Sequence, residues 1–383
     1  MILVGALALV GWVVLALSLF WTCRERDDLA PLSPPSQWPE VVAVVPARNE
    51  ADVIARSLAS LMAQDYPGSF RIVLVDDNST DGTGDLARWL VAQEGGQERL
   101  TVLSGAPLAA GWTGKLWAVH QGIAEAGSDV GGAPRYLWLT DADIAHDPDT
   151  LTRLVSIAGP DRGEKRKCLV SFMALLHCGT APERALVPAF VWFFMMLYPF
   201  NWINRGPLSG AAGGCVLVER EALAAAGGIA AMRGALIDDC TLGALMKKQG
   251  AIWLGLTRRS RSIRPYGGWQ EIAAMISRSA YAQLRYNPLL LVGAVLGLGL
   301  LFAVPPGLAL FGAGVGRWLG AGAWVLMGLL YRPMLDFYRR SPLWGLTLPL
   351  VAGFYVGCTL GSACAWYRGK GGMWKGRAQA HTG

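Results

Sequence analysis

Charge is what this 383-residue chain has least of: Asp, Glu, Lys and Arg make up 16% of it, against 53% hydrophobic residues. That balance excludes an ordinary soluble enzyme. Histidine is almost missing, with four isolated residues, which argues against a histidine-based metal centre. The seven cysteines (Cys23, Cys168, Cys178, Cys215, Cys240, Cys358, Cys364) are scattered, odd in number and form no Cys-x-x-Cys. Neither a disulfide framework nor a zinc site is indicated, and a reducing cytosol is expected. No Lys/Arg run alternates with aromatic residues, so no nucleic acid partner is expected. The net charge of +6 instead suits anionic lipid or an anionic nucleotide. The phosphate-loop pattern is also missing. Gly111-Trp112-Thr113-Gly114-Lys115 approaches it without the Gly-x-x-x-x-Gly-Lys-Ser/Thr spacing.

What is present is apolar sequence gathered at the two ends, which describes a membrane protein with a soluble insert. Met1 to Cys23 is an unbroken apolar run followed by Arg24 and Arg26. It reads as an uncleaved transmembrane signal anchor whose carboxyl flank is cytoplasmic. Residues 24–40 form a linker, stiffened by the prolines of Pro31 to Pro39. Beyond residue 288, apolar blocks cover Leu289 to about Ala303, about Leu308 to Tyr331, and Leu343 to Tyr367. Pro305-Pro306 and the Arg332 to Arg340 segment are expected to break them. Three spans would leave the basic tail 368–383 (Arg368, Lys370, Lys375, Arg377) outside. The cytoplasmic excess of Lys and Arg in membrane proteins places that tail and Arg339-Arg340 inside. One block is then re-entrant or interfacial, and the sequence leaves open which. Leu186 to Ile203, interrupted by Pro188 and Pro199, reads equally as a segment at headgroup level or as a core helix. Arg162 to Lys167 reads as a solvated turn.

The middle of the chain has ordinary composition and alternates strands with helices. Val41–Val45, Arg71–Val75, Leu100–Leu103 and Tyr136–Thr140 read as strands, with helices over Ala51–Ala63, Asp85–Gln93 and from Gly114 through Gly122. This spacing predicts a doubly wound, mostly parallel α/β sheet. Further on, Gly210–Val218 leads into a strand, a helix follows from Arg220, and another opens at Ile237-Asp238-Asp239.

Two acidic clusters follow strands: Asp76-Asp77 after the second, and Asp141-Ala142-Asp143 after the Tyr136 strand. Both therefore belong to the carboxyl rim where open α/β sheets bind ligands. Two hard oxygen ligands there suit Mg²⁺ or Mn²⁺ beside a diphosphate. Asp238-Asp239 opens a helix, where acids also serve as caps and dipole partners.

In order along the chain, these motifs resemble an inverting family 2 glycosyltransferase of GT-A fold, over about Val41 to Asn287. Val44-Val45-Pro46-Ala47-Arg48-Asn49-Glu50 resembles the nucleotide-binding strand and turn, and Val75 to Thr83 the stretch that recognises the base. Gly114 to Gly122 resembles Gly-Lys-x-x-Ala-Leu-Asn-x-Gly, with His120 in place of Asn. With its apolar ends the chain most resembles the hopene-associated glycosyltransferases. The resemblance implies a GT-A (Rossmann-like) domain over residues 41–287, preceded by the anchor 1–23 and followed by membrane helices over 288–367. It implies donor binding by Pro46, Arg48, Glu50, Asp76, Asp77, Lys115 and Asp141, metal binding by Asp143, and a catalytic base at Asp239. A UDP-sugar is the donor it favours, and a membrane lipid the acceptor, reached from the cytoplasmic face of a bacterial inner membrane.

One departure matters. Processive members carry Gln-x-x-Arg-Trp after the base, and here only Arg278, Gln283 and Arg285 lie in the corresponding stretch. That favours transfer of one sugar to a lipid. Arg278, Gln283 and Arg285, with Asp238, are then candidates for gripping the acceptor or diphosphate. For Arg278 and Arg285 the alternative is snorkelling beside anionic lipid. A polymer synthase and an inactive membrane scaffold are the rival readings. The incomplete Gln-x-x-Arg-Trp counts against the first, and the full set of carboxylates against the second.

Overall fold

The computed structural model describes residues 1–93, 99–127, 133–160, 166–369, 373–374 and 377–378. Most of the Arg162–Lys167 turn, and Lys370 and Lys375 of the tail, lie outside the described residues. The chain forms two compact units. A helical unit takes Met1–Arg24, His177–Asn201 and Pro265–Gly372, and an α/β unit takes Glu25–Leu176, Trp202–Arg264 and the tail from Met373. In chain order the elements begin with α1 (Ile2–Leu17), β1 (Val41–Ala47), α2 (Ile54–Met62), β2 (Phe70–Asp76), α3 (Thr83–Gln93) and β3 (Leu100–Ser104). There follow α4 (Gly114–Ala126), β4 (Tyr136–Thr140), β5 (Ile144–His146), α5 (Thr150–Ala158), β6 (Lys167–Leu175), α6 (Ala181–Leu197) and α7 (Phe200–Arg205). The series continues with β7 (Cys215–Glu219), α8 (Arg220–Ala225), α9 (Asp238–Lys247), β8 (Ala251–Ser262) and α10 (Trp269–Gln283). It closes with α11 (Pro288–Leu298), a π-helical turn (Gly299–Ala303), α12 (Val304–Phe311), α13 (Gly314–Phe337) and α14 (Leu348–Tyr367).

In the α/β unit the continuous apolar runs become the inner strands, because a strand covered on both faces has no polar side to show. Every residue of β1 and of β4 is buried. The sheet has eight strands in the order β3-β2-β1-β4-β7-β6-β8-β5. Pairings β3-β2, β2-β1, β1-β4 and β6-β8 are parallel, while β4-β7, β7-β6 and β8-β5 are antiparallel. Register then decides where the chemistry sits. Ala47 pairs with Asp76, Val44 with Leu139, and Thr140 with Cys215. The carboxyl ends of β1, β2 and β4 and the amino end of β7 therefore share one rim.

Buried His146 ties that rim to the far strands: Thr140 Oγ1 lies 2.8 Å from its Nε2 and Ser260 Oγ 2.9 Å from its Nδ1. Burial pushes its imidazole down to about 3, so it is neutral and structural. The Pro-rich stretch is preceded by a residue held firmly to the sheet. Asp27, 2% exposed, meets Arg259 at 2.6 Å and Arg153 at 3.5 Å.

The helical unit is built around Trp192 of α6, whose ring packs against Trp12, Phe20, Phe193, Phe302 and Tyr331. Among the described residues three helical stretches are long and apolar enough to cross a membrane: Ala181–Arg205, Pro288–Phe311 and Pro342–Tyr367. Several boundaries differ from those the sequence suggests. The Met1–Cys23 run is not one continuous helix: α1 stops at Leu17, Leu19 and Cys23 are left-handed, and Ser18 Oγ and Trp21 Nε1 cap the last carbonyls of Leu15 and Ala16.

Pro305-Pro306 does not break its block either. Pro305 has no N–H for the carbonyl of Leu301, the usual i−4 partner. The Trp12 indole supplies the missing donor, Nε1 to Leu301 O at 2.7 Å, and the helix continues to Phe311 through the π-helical turn. Nor does the Arg332–Arg340 segment end its block at once, since α13 runs through Pro333 to Phe337. Of the two readings of Leu186–Ile203, the core helix fits: most of the apolar stretch of Ala181–Arg205 is buried. None of the seven cysteines is in a disulfide in this structure.

Candidate active site

A cleft of about 400 Å³, counted to its open mouth, lies on the shared rim of the α/β unit. Pro46 from β1, Lys115 from the first turn of α4, Asp141 just past β4, Gly213 before β7, and Asp238 and Asp239 from the start of α9 line it. Lys115 is its centre. The ammonium lies 2.8 Å from Asp141 Oδ1 and 3.1 Å from Asp238 Oδ2. Burial disfavours its charge, but the two carboxylates outweigh that and raise its pKa, so Lys115 stays protonated.

Asp239 lies behind this pair. Its Oδ2 accepts from Gly213 N at 3.2 Å and its Oδ1 from Cys240 N at 2.7 Å. Gly213 lies close to both groups: a Cβ there would be in ordinary contact with Asp239 Cβ at 3.4 Å and Lys115 Nζ at 3.5 Å. Burial, and then the charge of Asp238, push the Asp239 carboxyl up to about 6, against its two hydrogen bonds and Lys115. Plain capping does not account for the pair. The N-cap of α9 is Ile237, and no side chain caps from that position.

On the donor side, the turn after β1 and the loop after β2 are latched together. Asn49 N donates to Ser79 Oγ, Thr80 N to Asn49 Oδ1, Glu50 N to Thr83 Oγ1 and Ala51 N to Asp81 Oδ2, all within 2.8–3.0 Å. Arg48 Nη1 donates to the carbonyl oxygens of Asp77 and Asn78 and lies 3.8 Å from Asp77 Oδ2. Asp77 is 1% exposed, whereas Asp76 is half-buried and accepts from Ser79 N at 3.1 Å. His120, the departure from the family pattern, packs against Trp112 and Trp117 with ring centroids 4.7 and 5.5 Å away.

Asp143 is perturbed in the same sense as Asp239. Burial, then Asp141, then Glu50 push its carboxyl up to about 6, while Arg264 and Lys115 oppose the shift. Arg264 Nε lies 3.9 Å from Asp143 Oδ2, and the same guanidinium pairs with Glu50 and, at 2.9 Å, with Asp52. Among the described residues no group of three His, Cys, Asp or Glu could hold a metal ion by itself. The donor pair Asp141 and Asp143 is nevertheless all oxygen, with Lys115 and Arg264 as its counter-charges. It fits a hard divalent ion that completes its shell with phosphate oxygens.

The sequence reading missed Arg264 and Asp52. The signal was there: Arg258, Arg259 and Arg261 form a basic end to β8, Arg264 follows it, and the last three pair with carboxylates. Arg278 and Gln283 on α10, and Arg285 just after it, belong to the helical unit, where Gln283 Oε1 accepts from Tyr198 OH at 2.7 Å.

The sheet is a GT-A-like α/β fold. It is similar to the solved mannosyltransferase PcManGT of Pyrobaculum calidifontis, with TM-score 0.56 and 18% identity over 94% of this chain and 98% of that one. Residues 42–163, from β1 through α5, match the model of the family Glycosyl transferase family 2. The chain is also similar to a beta-monoglucosyldiacylglycerol synthase of Synechocystis, 34% identical over 119 residues. A third similarity is to the probable glycosyltransferase YdaM of Bacillus subtilis, 26% identical over 169 residues. These matches take 31% and 44% of this chain and span only 22% and 36% of the two relatives' lengths.

Proposed function

We propose that this chain is a membrane-bound, inverting glycosyltransferase that moves one sugar from a nucleotide-sugar to a membrane-lipid hydroxyl. The catalytic domain faces the cytoplasm of a bacterial cell. The observation that carries this reading is one cleft that holds a carboxylate poised to take a proton, Asp239, together with Lys115 and Asp141, beside Asp143. The acceptor oxygen bonds to the anomeric carbon as the carbon–oxygen bond to the diphosphate breaks. The hydroxyl proton passes to Asp239, and the electron pair leaves with the nucleoside diphosphate. Asp238 is held by Lys115, which keeps the two acids of the pair in different roles. Asp76 and Asp77 sit where the base and ribose of the donor would be read, and Arg48 fixes the loop that presents them.

Asp143, with Asp141 and Glu50 beside it, would hold Mg²⁺ or Mn²⁺, which supplies neutralising charge to the departing diphosphate. Support for that comes from the donor set itself and from the fold relative, which was solved with GDP-mannose and Mn²⁺. UDP-sugars are the donors favoured by the sequence resemblance. The Synechocystis relative supports a lipid acceptor, a diacylglycerol type by its name. The hopene-associated resemblance makes a hydroxylated hopanoid the acceptor to try first.

The test is direct. The full chain in lipid nanodiscs is given a panel of UDP- and GDP-sugars with either lipid, and products are weighed by mass spectrometry. One discrete glycolipid carrying a single sugar is expected. A ladder of products, or no transfer to either lipid, overturns the proposal.

A further inference from the structure

We infer that α1, α11–α12 and α13 of the helical unit form the membrane-crossing bundle, while α14 lies with α10 along the inner surface of the bilayer. The inference rests on the membrane reading above and assigns the block that the sequence leaves open.

α10 is polar, with Gln270, Glu271, Arg278 and Gln283 along it, and Glu271 and Arg278 are exposed. α14 is bound to it over its whole length, in the same direction. The Trp269 and Phe354 rings lie 6.2 Å apart, and Ser277 Oγ donates to Cys358 O at 3.1 Å. Tyr281 N donates to Ser362 Oγ at 3.2 Å, and the hydroxyls of Tyr281 and Tyr367 meet at 3.0 Å. Cys358 is near the middle of α14, so an α14 that crossed the bilayer would carry Arg278 to the bilayer centre, exposed to lipid. Charged side chains at that depth face a bundle interior or a water-filled cavity. Arg278 is exposed, so it faces no bundle interior. Although long and apolar enough to span, α14 is thereby held at the depth of a polar partner.

The crossing elements are elsewhere, and of these only Pro288–Phe311 is long and apolar enough to span by itself, with α1 and α13 packed on it. Pro288–Phe311 is 24 residues and almost wholly unburied, about 36 Å of helix. At Gly312-Ala313 the chain turns, and α13 packs back against α12. A Cβ on Gly320 would lie 2.6 Å from Leu308 Cβ and 2.7 Å from Pro305 O, the close backbone approach typical of membrane helix pairs. α13 is also 24 residues, and its stretch Trp318–Tyr331 is free of charge, with Arg317 and Arg332 at its two limits. α1 completes the bundle antiparallel to α11–α12: its Gly5 faces Leu308, and its Trp12 bonds to Leu301 O. Met1 lies beside Gly316, so the Met1 end of α1 and the 312–313 turn share one end of the bundle.

Basic residues then sort by end. Arg24, Arg285, Arg339, Arg340 and Arg368 follow or precede helix termini at the opposite end, and Arg317 alone is near the 312–313 turn. This is the asymmetry expected of a cytoplasmic face. Three spans through α14 could not produce it, because the tail would then emerge outside. The turn from surface helix to hairpin is also built in. Arg285 and Tyr286 are both left-handed, and Tyr286 stacks on Trp366 at 3.9 Å, an aromatic pair of the kind that sits at headgroup level.

The test labels the full-length protein in sealed spheroplasts with a membrane-impermeant maleimide and subtracts the signal of the parent chain. Ala313→Cys and Phe311→Cys are expected to label from outside. Ser341→Cys and Arg368→Cys are expected to label only after the membrane is opened. Labelling of Arg368→Cys in sealed spheroplasts means that α14 crosses, and labelling of both Ala313→Cys and Phe311→Cys only after opening means that the hairpin does not; either overturns the inference. A carbonate wash of the same membranes separates the two levels. Release of the chain would sink the membrane reading itself, whereas retention with the wrong labelling sinks only this arrangement.

Discussion

Asp81 and Asp239 both accept backbone N–H groups, yet they titrate in opposite directions. Asp81 takes Ala51 N and Thr83 N at 3.0 Å and the Thr83 hydroxyl at 2.6 Å. Burial is the largest single influence on it and raises its pKa, but the Thr83 hydroxyl and the backbone donors together outweigh that and lower it. Asp239 takes two N–H groups as well, but it stands among protein atoms next to a second carboxylate and is pushed up to about 6. The same kind of hydrogen bond thus accompanies a lowered carboxyl pKa in one region and a raised one in the other. The deciding terms are solvent and the neighbouring charge. In the loops after β1 and β2 the acids are matched by donors. At the corner of α4 and α9 one ammonium is shared between Asp141 and Asp238, with Asp239 close behind.

Four measurements can break or sharpen that contrast. The largest effect is expected from Asp239→Asn, which should lower turnover about 10²–10⁴-fold while donor binding survives. The fold should not suffer. A carboxyl whose folded pKa is raised opposes folding above its unfolded value, so near pH 7.5 the variant should be at least as stable as the parent. That advantage should shrink as pH falls below about 6, which thermal unfolding at several pH values reads out. Near-normal turnover would place the base elsewhere.

Next comes the ion. Excess EDTA should silence the intact protein and added Mn²⁺ should restore it, and Asp143→Ala should bind Mn²⁺ more weakly by calorimetry as well as lose activity. Full activity in EDTA removes the metal from the proposal.

A smaller and more discriminating effect is expected from Lys115→Met. Lys115 lowers the pKa of Asp239, so without it the acidic limb of the rate profile, near pH 6 in the parent, should move to higher pH. An unmoved limb would mean that Asp239 does not set the profile.

The smallest effect is expected at the latch: Asp81→Ala should lose about 1 kcal/mol of stability. Because the Asp81 pKa is lowered, that loss is full above the ordinary carboxyl range and fades as pH falls below it. Nucleotide-sugar should bind more weakly while the chemical step stays close to normal. A large drop in turnover with unchanged binding would erase the contrast.

How far these features are visible in the sequence depends on the range of the interactions behind them. β1 and β4 are legible because a strand covered on both faces must be apolar throughout, a purely local rule. The rim position of Asp76, Asp77, Asp141 and Asp143 is legible for the same reason, since each follows such a strand. The meeting of Lys115 with both Asp141 and Asp238 depends on register between β4 and an antiparallel β7, which no local pattern states. β8 mixes apolar residues with a basic run, and Arg264 takes its place only when Glu50 and Asp52 arrive from the turn after β1. The helix through Pro305-Pro306 contradicts a sound local rule for a similar reason. Its missing donor is an indole 289 residues away in sequence.

That indole has a consequence for how the protein is made. Trp12 leaves the ribosome 289 residues ahead of its acceptor, the carbonyl of Leu301. At roughly 5–20 residues per second, α1 waits about 15–60 s for its partner. Through that interval the helix sits with a buried-type polar group unmatched, while the α/β unit is synthesised and can fold. The contact that closes the helical unit thus forms only after the eight sheet strands between its two partners have been made, and a ribosome stalled before Leu301 would leave those strands complete and Trp12 without its acceptor.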